Sequence, residues 1–244
     1  MGSPQLQSTV SEKLRAMDSA NLFPLLETAD QDFETLVFAA GWNSQFQQLV
    51  KRTMDLIGSS LLLVVLSPVF LILAVLVKMS SPGPILYRSF LMGQGGYPFL
   101  GYKFRSMYTN ADQVKAKLAH LNEMRGPVFK ITGDPRITPL GRWIRKFSLD
   151  ELPQLYSVLK GDMSLVGPRP PLVDEYRMFT PYQRQKMAVR PGITCLWQVN
   201  GRNEISDFNE WVRLDLKYIR NWSLWLDIGI LLKTVMVVLL GSGK

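Results

Sequence analysis

A long apolar run dominates the first third of the chain. It covers residues 56–77, with Lys51-Arg52 before it and Lys78 after it. As one helix of about 22 residues it would be roughly 33 Å long, which is enough to cross a bilayer. Ser67-Pro68 interrupts the run near its middle. Because a proline inside a helix removes a backbone hydrogen bond and clashes with the preceding turn, the pattern predicts a sharp bend there.

Two membrane topologies agree with this pattern. Cations flank the run on both sides, and Lys and Arg flanks favour the cytoplasmic face. This predicts a re-entrant hairpin that enters one leaflet and returns, with its turn at Ser67 and Pro68. A kinked helix that spans the bilayer is the alternative, because membrane helices tolerate proline. All the polar chemistry lies after the run in sequence, which favours the hairpin.

Turn signals and alternation predict a β-hairpin after the run. Two candidate strands, residues 85–90 and 99–107, flank a glycine-rich turn at 93–96. Alternate residues of a strand point to the same side, so Lys103 and Arg105 are expected to share one face. Two cations on one face either clamp a phosphate or form a solvated surface, and their spacing alone leaves both interpretations open.

Helical patterns dominate the remainder of the chain. The spacing predicts a helix over 110–124, capped by its first residue, and a short basic helix over 140–147. The apolar stretch 228–240 is too short to span a bilayer. With Trp222 and Trp225 beside it, this stretch suits a helix lying in the headgroup layer.

Composition narrows the chemistry. The 244 residues include 28 Lys and Arg against 20 Asp and Glu, a net charge of +8, which suits an anionic partner. Beside a membrane segment, lipid headgroups and a phosphorylated substrate are favoured over nucleic acid, and no nucleic-acid motif is present. The single cysteine, Cys195, excludes an internal disulfide, and one histidine, His120, leaves no zinc site or Ser-His relay. Any catalysis must therefore use carboxylates and cations, with or without a hard metal ion.

An adjacent pair of carboxylates is the most informative polar feature. Asp150 and Glu151 come after Ser148 and precede Pro153, at the expected start of a helix. Ser148 with Glu151 three residues later matches a capping box, which would give Glu151 a structural role. The alternative is a catalytic pair in which one carboxylate attacks phosphorus and the other binds Mg²⁺.

Arginines recur in proline- and glycine-rich loops beyond this pair. The segment Pro168-Arg169-Pro170 restricts the backbone around its guanidinium, which suits bidentate contact with phosphate, although an exposed turn is the simpler interpretation. Two further loops carry Arg190 and Arg202. Asp215 falls on the apolar stripe of the next helix, where a buried pair with an arginine is favoured over catalysis.

These motifs together resemble the bacterial sugar transferases, a family of monotopic phosphoglycosyl transferases. The resemblance covers residues from about 51 to 241. The residues that carry it are Ser67-Pro68, Tyr102-Lys103-Phe104-Arg105-Ser106-Met107, Ser148-Leu149-Asp150-Glu151-Leu152-Pro153-Gln154-Leu155, Gly161-Asp162-Met163-Ser164-Leu165-Val166-Gly167-Pro168-Arg169-Pro170, Arg190-Pro191-Gly192-Ile193-Thr194 and Gln198-Val199-Asn200-Gly201-Arg202-Asn203.

The resemblance implies a specific reaction. Members of the family transfer a sugar-1-phosphate from a UDP-sugar to undecaprenyl phosphate, release UMP and so begin exopolysaccharide or O-antigen synthesis. By the same resemblance Asp150 is the nucleophile, which holds the phospho-sugar covalently, and Glu151 binds Mg²⁺. The substrate-binding positions it implies are Lys103, Arg105, Arg145, Pro168, Arg169, Pro170, Arg202 and Asp227.

The expected architecture is α+β and mostly helical. It is a monotopic membrane protein with a kinked re-entrant helix, a small β-hairpin and interfacial amphipathic helices. Residues 1–48 form a helical extension of unknown role, 49–80 the re-entrant helix-break-helix, and 81–244 a catalytic domain on the cytoplasmic face of the bacterial inner membrane. The expected partners are a UDP-sugar, with galactose or glucose favoured, undecaprenyl phosphate, membrane lipids and a second copy in a homodimer.

Three rival functions remain open on the sequence alone. A membrane-bound scaffold would recruit other glycan enzymes without chemistry of its own, and a basic protein at the membrane could bind nucleic acid. Ordinary glycosyl transfer without phosphate would release UDP rather than UMP, so the leaving group separates it from the first reaction.

Overall fold

The structure is a computed structural model that describes residues 45–201 and 205–241. Residues 1–44 of the predicted helical extension 1–48, and the site residue Arg202, therefore lie outside the described residues, whereas residues 45–48 belong to the first helix. Along the described chain the helices and strands are α1 (Gln45–Val65), α2 (Ser67–Ser80), β1 (Leu86–Met92), β2 (Pro98–Phe104), α3 (Ala111–Lys115), α4 (Pro139–Lys146), α5 (Gln154–Lys160), β3 (Ser164–Val166), α6 (Val173–Arg177), α7 (Pro181–Arg184), β4 (Gly192–Thr194), α8 (Phe208–Arg220) and α9 (Leu224–Leu240).

The predicted bend in the apolar run is confirmed. Helices α1 and α2 meet at an angle of 61° across the single residue Leu66. Pro68 has no amide hydrogen to donate to the carbonyl four residues earlier, which is that of Val64. The Ser67 hydroxyl donates to this same carbonyl at 2.8 Å. The serine therefore replaces the hydrogen bond that the proline removes.

Among the described residues no single helix is both long and apolar enough to cross a bilayer. The bent pair α1–α2 reaches that length and composition when the two helices are taken together.

Helix α1 buries polar side chains and exposes apolar ones, the reverse of a surface helix in a soluble protein. Its buried side chains are the polar Lys51, Asp55 and Ser59, each one turn from the next. Its apolar side chains point outward, with Ile57 and Val64 exposed by 63% and 72%. Exposed apolar area of this extent indicates contact with lipid or with another protein.

The described residues form two small two-stranded sheets. Strands β1 and β2 form the predicted antiparallel hairpin, in which Leu86 pairs with Phe104 and Met92 with Pro98. Its turn requires glycine, because Gly95 has a φ of 66°. Strands β3 and β4 pair in parallel, far apart in sequence.

The helix predicted over 110–124 is wrong in length. Helix α3 ends at Lys115, and 3₁₀ turns follow it over Ala116–Leu121. The Asn110 side chain makes no capping hydrogen bond.

The main hydrophobic core lies between these sheets and the C-terminal helices. It contains a stacked pair of indoles, Trp197 and Trp211, with ring centroids 4.1 Å apart. A second, smaller cluster joins α2 to β2 and α4 through Val77, Phe104 and Ile144. The bent helix pair is therefore part of the folded core and not a detached anchor.

Candidate active site

The acid pair lies on a 3₁₀ turn between two short helices. Ser148 adopts a left-handed conformation, with a φ of 54°, and the turn Leu149–Glu151 comes directly after it. The side chain of Ser148 makes no capping hydrogen bond, so the predicted capping box is wrong. Helix α5 begins only at Gln154, which places the pair before the helix rather than in its first turn. Asp150 and Glu151 are each only 8% exposed.

Lys103 brings the hairpin to this pair. Its ammonium group lies 2.5 Å from Oε1 of Glu151, in a partly buried ion pair that connects β2 to the 3₁₀ turn. A lysine on a flexible stem can hold a carboxylate and also reach a phosphate oxygen beside it.

Arg105 does not accompany Lys103. Strand β2 ends at Phe104, and the Arg105 guanidinium donates to the carbonyls of Val77, Ser81 and Pro82. The two cations therefore have different partners, contrary to the prediction that they share one face. Arg105 fixes the end of α2, because the last carbonyls of a helix lack partners within it. Its predicted contact with substrate has no support in this geometry.

Arg145, on helix α4, interacts electrostatically with the acid pair. The helix can approach the end of the hairpin because Gly141 has no side chain there; a Cβ would lie 1.9 Å from the Ser106 carbonyl oxygen. One turn later, Nε of Arg145 donates to the Ser106 hydroxyl at 2.8 Å. Burial lowers the pKa of this guanidinium, while the negative charges of Asp150 and of two other acids act to raise it.

A buried ion pair between Asp134 and Arg136 lies near Arg145, whose guanidinium interacts with the Asp134 charge. Asp134 accepts two-pronged hydrogen bonds from Arg136, the shortest at 2.6 Å, and both side chains are less than 10% exposed. The Arg136 guanidinium also lies 4.9 Å from the centre of the Phe129 ring. Sequence reasoning identifies this segment as a turn only. The Asp-x-Arg spacing is the signal that could have identified the pair.

Arg169 lies on a loop held at both ends. The Pro168 carbonyl accepts from the amide of Gly192, at 2.9 Å, and the Pro171 carbonyl accepts from the amide of Met92, also at 2.9 Å. Pro168 and Pro170 are buried, whereas Arg169 is partly exposed. The positive charge of Arg169 contributes to lowering the pKa of Arg145, so the two guanidinium groups interact electrostatically.

Asp227 is bonded entirely within the protein. It is fully buried and accepts from Lys51 Nζ at 2.6 Å, Tyr218 Oη at 2.7 Å and Trp222 Nε1 at 3.2 Å. Its carboxylate therefore ties α9 to α1 and α8. The role of a substrate ligand that the sequence resemblance implied is not supported by these contacts.

The other predicted buried carboxylate pairs with a lysine. Asp215 lies 2.6 Å from Lys186, and both side chains are nearly fully buried. Burial raises the pKa of Asp215, and the charge of Lys186 opposes that rise. The prediction of a buried partner is confirmed, although the partner is a lysine rather than an arginine.

The carboxylates of the acid pair could bind Mg²⁺, but they do not form a complete coordination shell. No group of three or more His, Cys, Asp or Glu side chains among residues 45–201 and 205–241 is arranged to hold a metal ion. Mg²⁺ needs only one or two protein carboxylates when water and substrate phosphates complete its coordination. Asp150 and Glu151 could supply them, with Lys103 already on one oxygen of Glu151. Binding of Mg²⁺ by Glu151 stays a prediction.

Comparison with known proteins gives consistent matches. The family model described as "Bacterial sugar transferase" matches residues 46–241. The galactosyl transferase CpsE of Streptococcus agalactiae is 44% identical over 87% of this chain and 47% of its own length. The undecaprenyl-phosphate galactose phosphotransferase of Salmonella typhimurium is 46% identical over 80% of this chain and 42% of its length.

A glucose enzyme is similar to the same region. The UDP-glucose:undecaprenyl-phosphate glucose-1-phosphate transferase of Escherichia coli is 40% identical over 79% of this chain and 40% of its own length. The chain thus spans less than half the length of these three relatives.

Proposed function

The chain belongs to the bacterial sugar transferase family, and on that premise we propose that it transfers a sugar-1-phosphate from a UDP-sugar to undecaprenyl phosphate and releases UMP. This reaction would begin the synthesis of an exopolysaccharide or O-antigen. Relatives are named for galactose or glucose transfer, so UDP-galactose and UDP-glucose are the proposed donors.

The observation that carries the proposal is the buried acid pair and the cations that converge on it. Asp150 and Glu151 come from one turn, Lys103 from β2 and Arg145 from α4. Phosphoryl transfer needs mainly positioning and neutralisation of developing charge, and such a set of groups supplies both. A scaffold protein without chemistry would have no need to bury these charges together.

We assign the nucleophile to Asp150. Its carboxylate attacks the phosphorus that carries the sugar, and the bond from this phosphorus to the bridging oxygen breaks, so that UMP leaves with the electron pair. An oxygen of undecaprenyl phosphate then attacks the same phosphorus. The bond to Asp150 breaks, the carboxylate is regenerated and the lipid carries the sugar diphosphate.

Charge is handled by the surrounding side chains. Arg145 and Arg169 offer planar donors to the phosphate oxygens, and Lys103 offers a point charge from the hairpin. When bound at Glu151, Mg²⁺ would neutralise charge on the diphosphate.

The membrane topology belongs to the same proposal. The bent pair α1–α2, with its outward apolar side chains, would enter one leaflet and return to the cytoplasmic face of the inner membrane. Helix α9 would lie along the surface, since it exposes Trp225 and Leu239 by 81% and 74%. The lipid phosphate sits at headgroup depth, where a hairpin of this kind would hold the acid pair.

The leaving group tests the reaction. Purified protein in lipid nanodiscs is supplied with a UDP-sugar, Mg²⁺ and undecaprenyl phosphate, and nucleotide products are separated by chromatography. UMP is the expected product, and Asp150→Asn is expected to lower its rate by roughly a thousandfold or more. Asp174→Asn, on a side chain that is 87% exposed, is the matched control and keeps full activity. Release of UDP, or full activity of Asp150→Asn, would refute the proposal.

A further inference from the structure

Two buried polar side chains of α1, Asp55 and Lys51, contact strand β3. Asp55 Oδ1 accepts from the Ser164 hydroxyl and from the Leu165 amide, both at 2.9 Å. Lys51 Nζ donates to the Val166 carbonyl at 3.0 Å. Every residue of β3 is therefore hydrogen-bonded to a side chain of α1.

Burying the charged groups of Asp55 and Lys51 costs desolvation free energy. Asp55 and Lys51 are 1% and 6% exposed, in a helix whose outer surface is apolar. Buried charges need partners, and an apolar seam would usually be at least as stable. Buried polar groups can instead fix which of several packings a helix adopts, and here they would fix the height and rotation of α1 against β3.

Strand β3 leads directly to the arginine loop. Arg169 comes three residues after Val166, and the intervening Gly167 donates to the Thr194 carbonyl at 3.0 Å. Gly167 is packed so closely on the neighbouring chain that a Cβ would lie 2.5 Å from the Arg190 carbonyl oxygen. A displacement of β3 would therefore be expected to move the loop, because only Gly167 and Pro168 lie between Val166 and Arg169.

We propose that Asp55 is a positioning residue for Arg169, with Lys51 as a second contact, so that helix α1 sets the position of the arginine assigned above to the substrate phosphates. The proposal rests on the proposed function for its kinetic test. It follows that Asp55 acts as a hydrogen-bond acceptor through Oδ1. Its charge is not required, since asparagine carries the same oxygen.

Kinetics of UMP release in nanodiscs test this with four variants. Asp55→Ala is expected to lower kcat/KM for the UDP-sugar by about tenfold, mainly through KM, because two hydrogen bonds to β3 are lost. Asp55→Asn is expected to stay within about twofold of the parent. Arg169→Ala is expected to lower kcat/KM strongly, and adding Asp55→Ala to it should cost less than about twofold more.

The matched control removes a buried hydroxyl from the same face of α1. Ser59 donates only to the Asp55 and Leu56 carbonyls of its own helix, so Ser59→Ala should leave kcat/KM unchanged. Additive effects of Asp55→Ala and Arg169→Ala, an equal loss in Ser59→Ala, or an unaffected Asp55→Ala would overturn the proposal.

A strand-side variant and amide exchange test the same contacts independently. If Asp55→Ala does not fold, Ser164→Ala removes one of the same hydrogen bonds from the strand side, and it should lower kcat/KM non-additively with Arg169→Ala. Amide exchange over residues 164–169 should accelerate in Asp55→Ala but not in Ser59→Ala, whether or not the parent releases UMP. Parent protein that releases no UMP contradicts the proposed function, whereas unchanged exchange contradicts the positioning role.

Discussion

One hydroxyl group stabilises the bend between α1 and α2. Ser67 donates to the Val64 carbonyl, which Pro68 leaves without an amide partner. In hydrocarbon no water can replace that bond. Ser67→Ala should therefore cost about 1–3 kcal/mol, the penalty for an unsatisfied polar group. For a chain of this size that corresponds to a fall in the melting temperature of roughly 2–4 °C per kcal/mol.

Three comparisons isolate the hydroxyl. Ser67→Thr retains the donor and should melt close to the parent. Ser80→Ala removes a similar bond, to the Val77 carbonyl, but this oxygen still accepts from Arg105, so the loss should be small. In the double variant Ser67→Ala with Pro68→Ala, the restored amide can donate to the carbonyl of residue 64. Stability should return, while the packing of α2 on β2 and α4 and the bonds from Arg105 to its end keep the pair bent.

The bend has a topological readout. Cysteines introduced at Phe46 and Met79, which are 72% and 78% exposed, mark the two ends of the bent pair. The native Cys195 is buried and should not interfere. Both marked positions should react with an impermeant maleimide from the same side in the parent and in the double variant, because the core holds α2 in both. An equally stable Ser67→Ala, or a parent that labels from opposite sides, would refute the reasoning.

Three further predictions concern buried charges and the buried thiol. Lys186→Met should destabilise the protein by about 3–5 kcal/mol in urea titrations, because Asp215 stays buried without its partner, and adding Asp215→Leu should recover most of that loss. Burial by itself would raise the pKa of Asp134, but its hydrogen bonds to Arg136 outweigh this and lower it. Asp134→Asn should therefore lose stability relative to the parent at neutral pH, and that difference should shrink as the pH falls below about 3.8, through the lowered pKa. Burial raises the pKa of the Cys195 thiol, so native protein at pH 8 should resist alkylation that unfolded protein undergoes readily.

The sequence predicts those features that depend on local chemistry. A proline within an apolar run bends a helix wherever the helix lies, and glycines between two alternating strands predict a hairpin in any fold. The family resemblance also rests on contiguous motifs and is confirmed by the family match over residues 46–241.

Tertiary contacts explain what the sequence does not reveal. By pattern Lys51 and Arg52 are flanking cations, yet Lys51 binds Asp227 and β3, and Arg52 donates to the last carbonyls of α5. The spacing of Lys51, Asp55 and Ser59, one turn apart, is a readable sign of a buried polar face. Which strand that face would meet depends on residues more than a hundred positions away, and local pattern carries no such information.

The covalent step at Asp150 is the centre of the proposed mechanism, and intact-protein mass spectrometry tests it most directly. The purified protein is incubated with UDP-galactose or UDP-glucose and Mg²⁺ in the absence of undecaprenyl phosphate. The mechanism predicts a hexose-phosphate adduct on Asp150, release of a single UMP per chain, and loss of the adduct when the lipid is added. An Asp150→Asn variant that still turns over, or a parent that transfers sugar phosphate to lipid while never carrying the adduct, would contradict it.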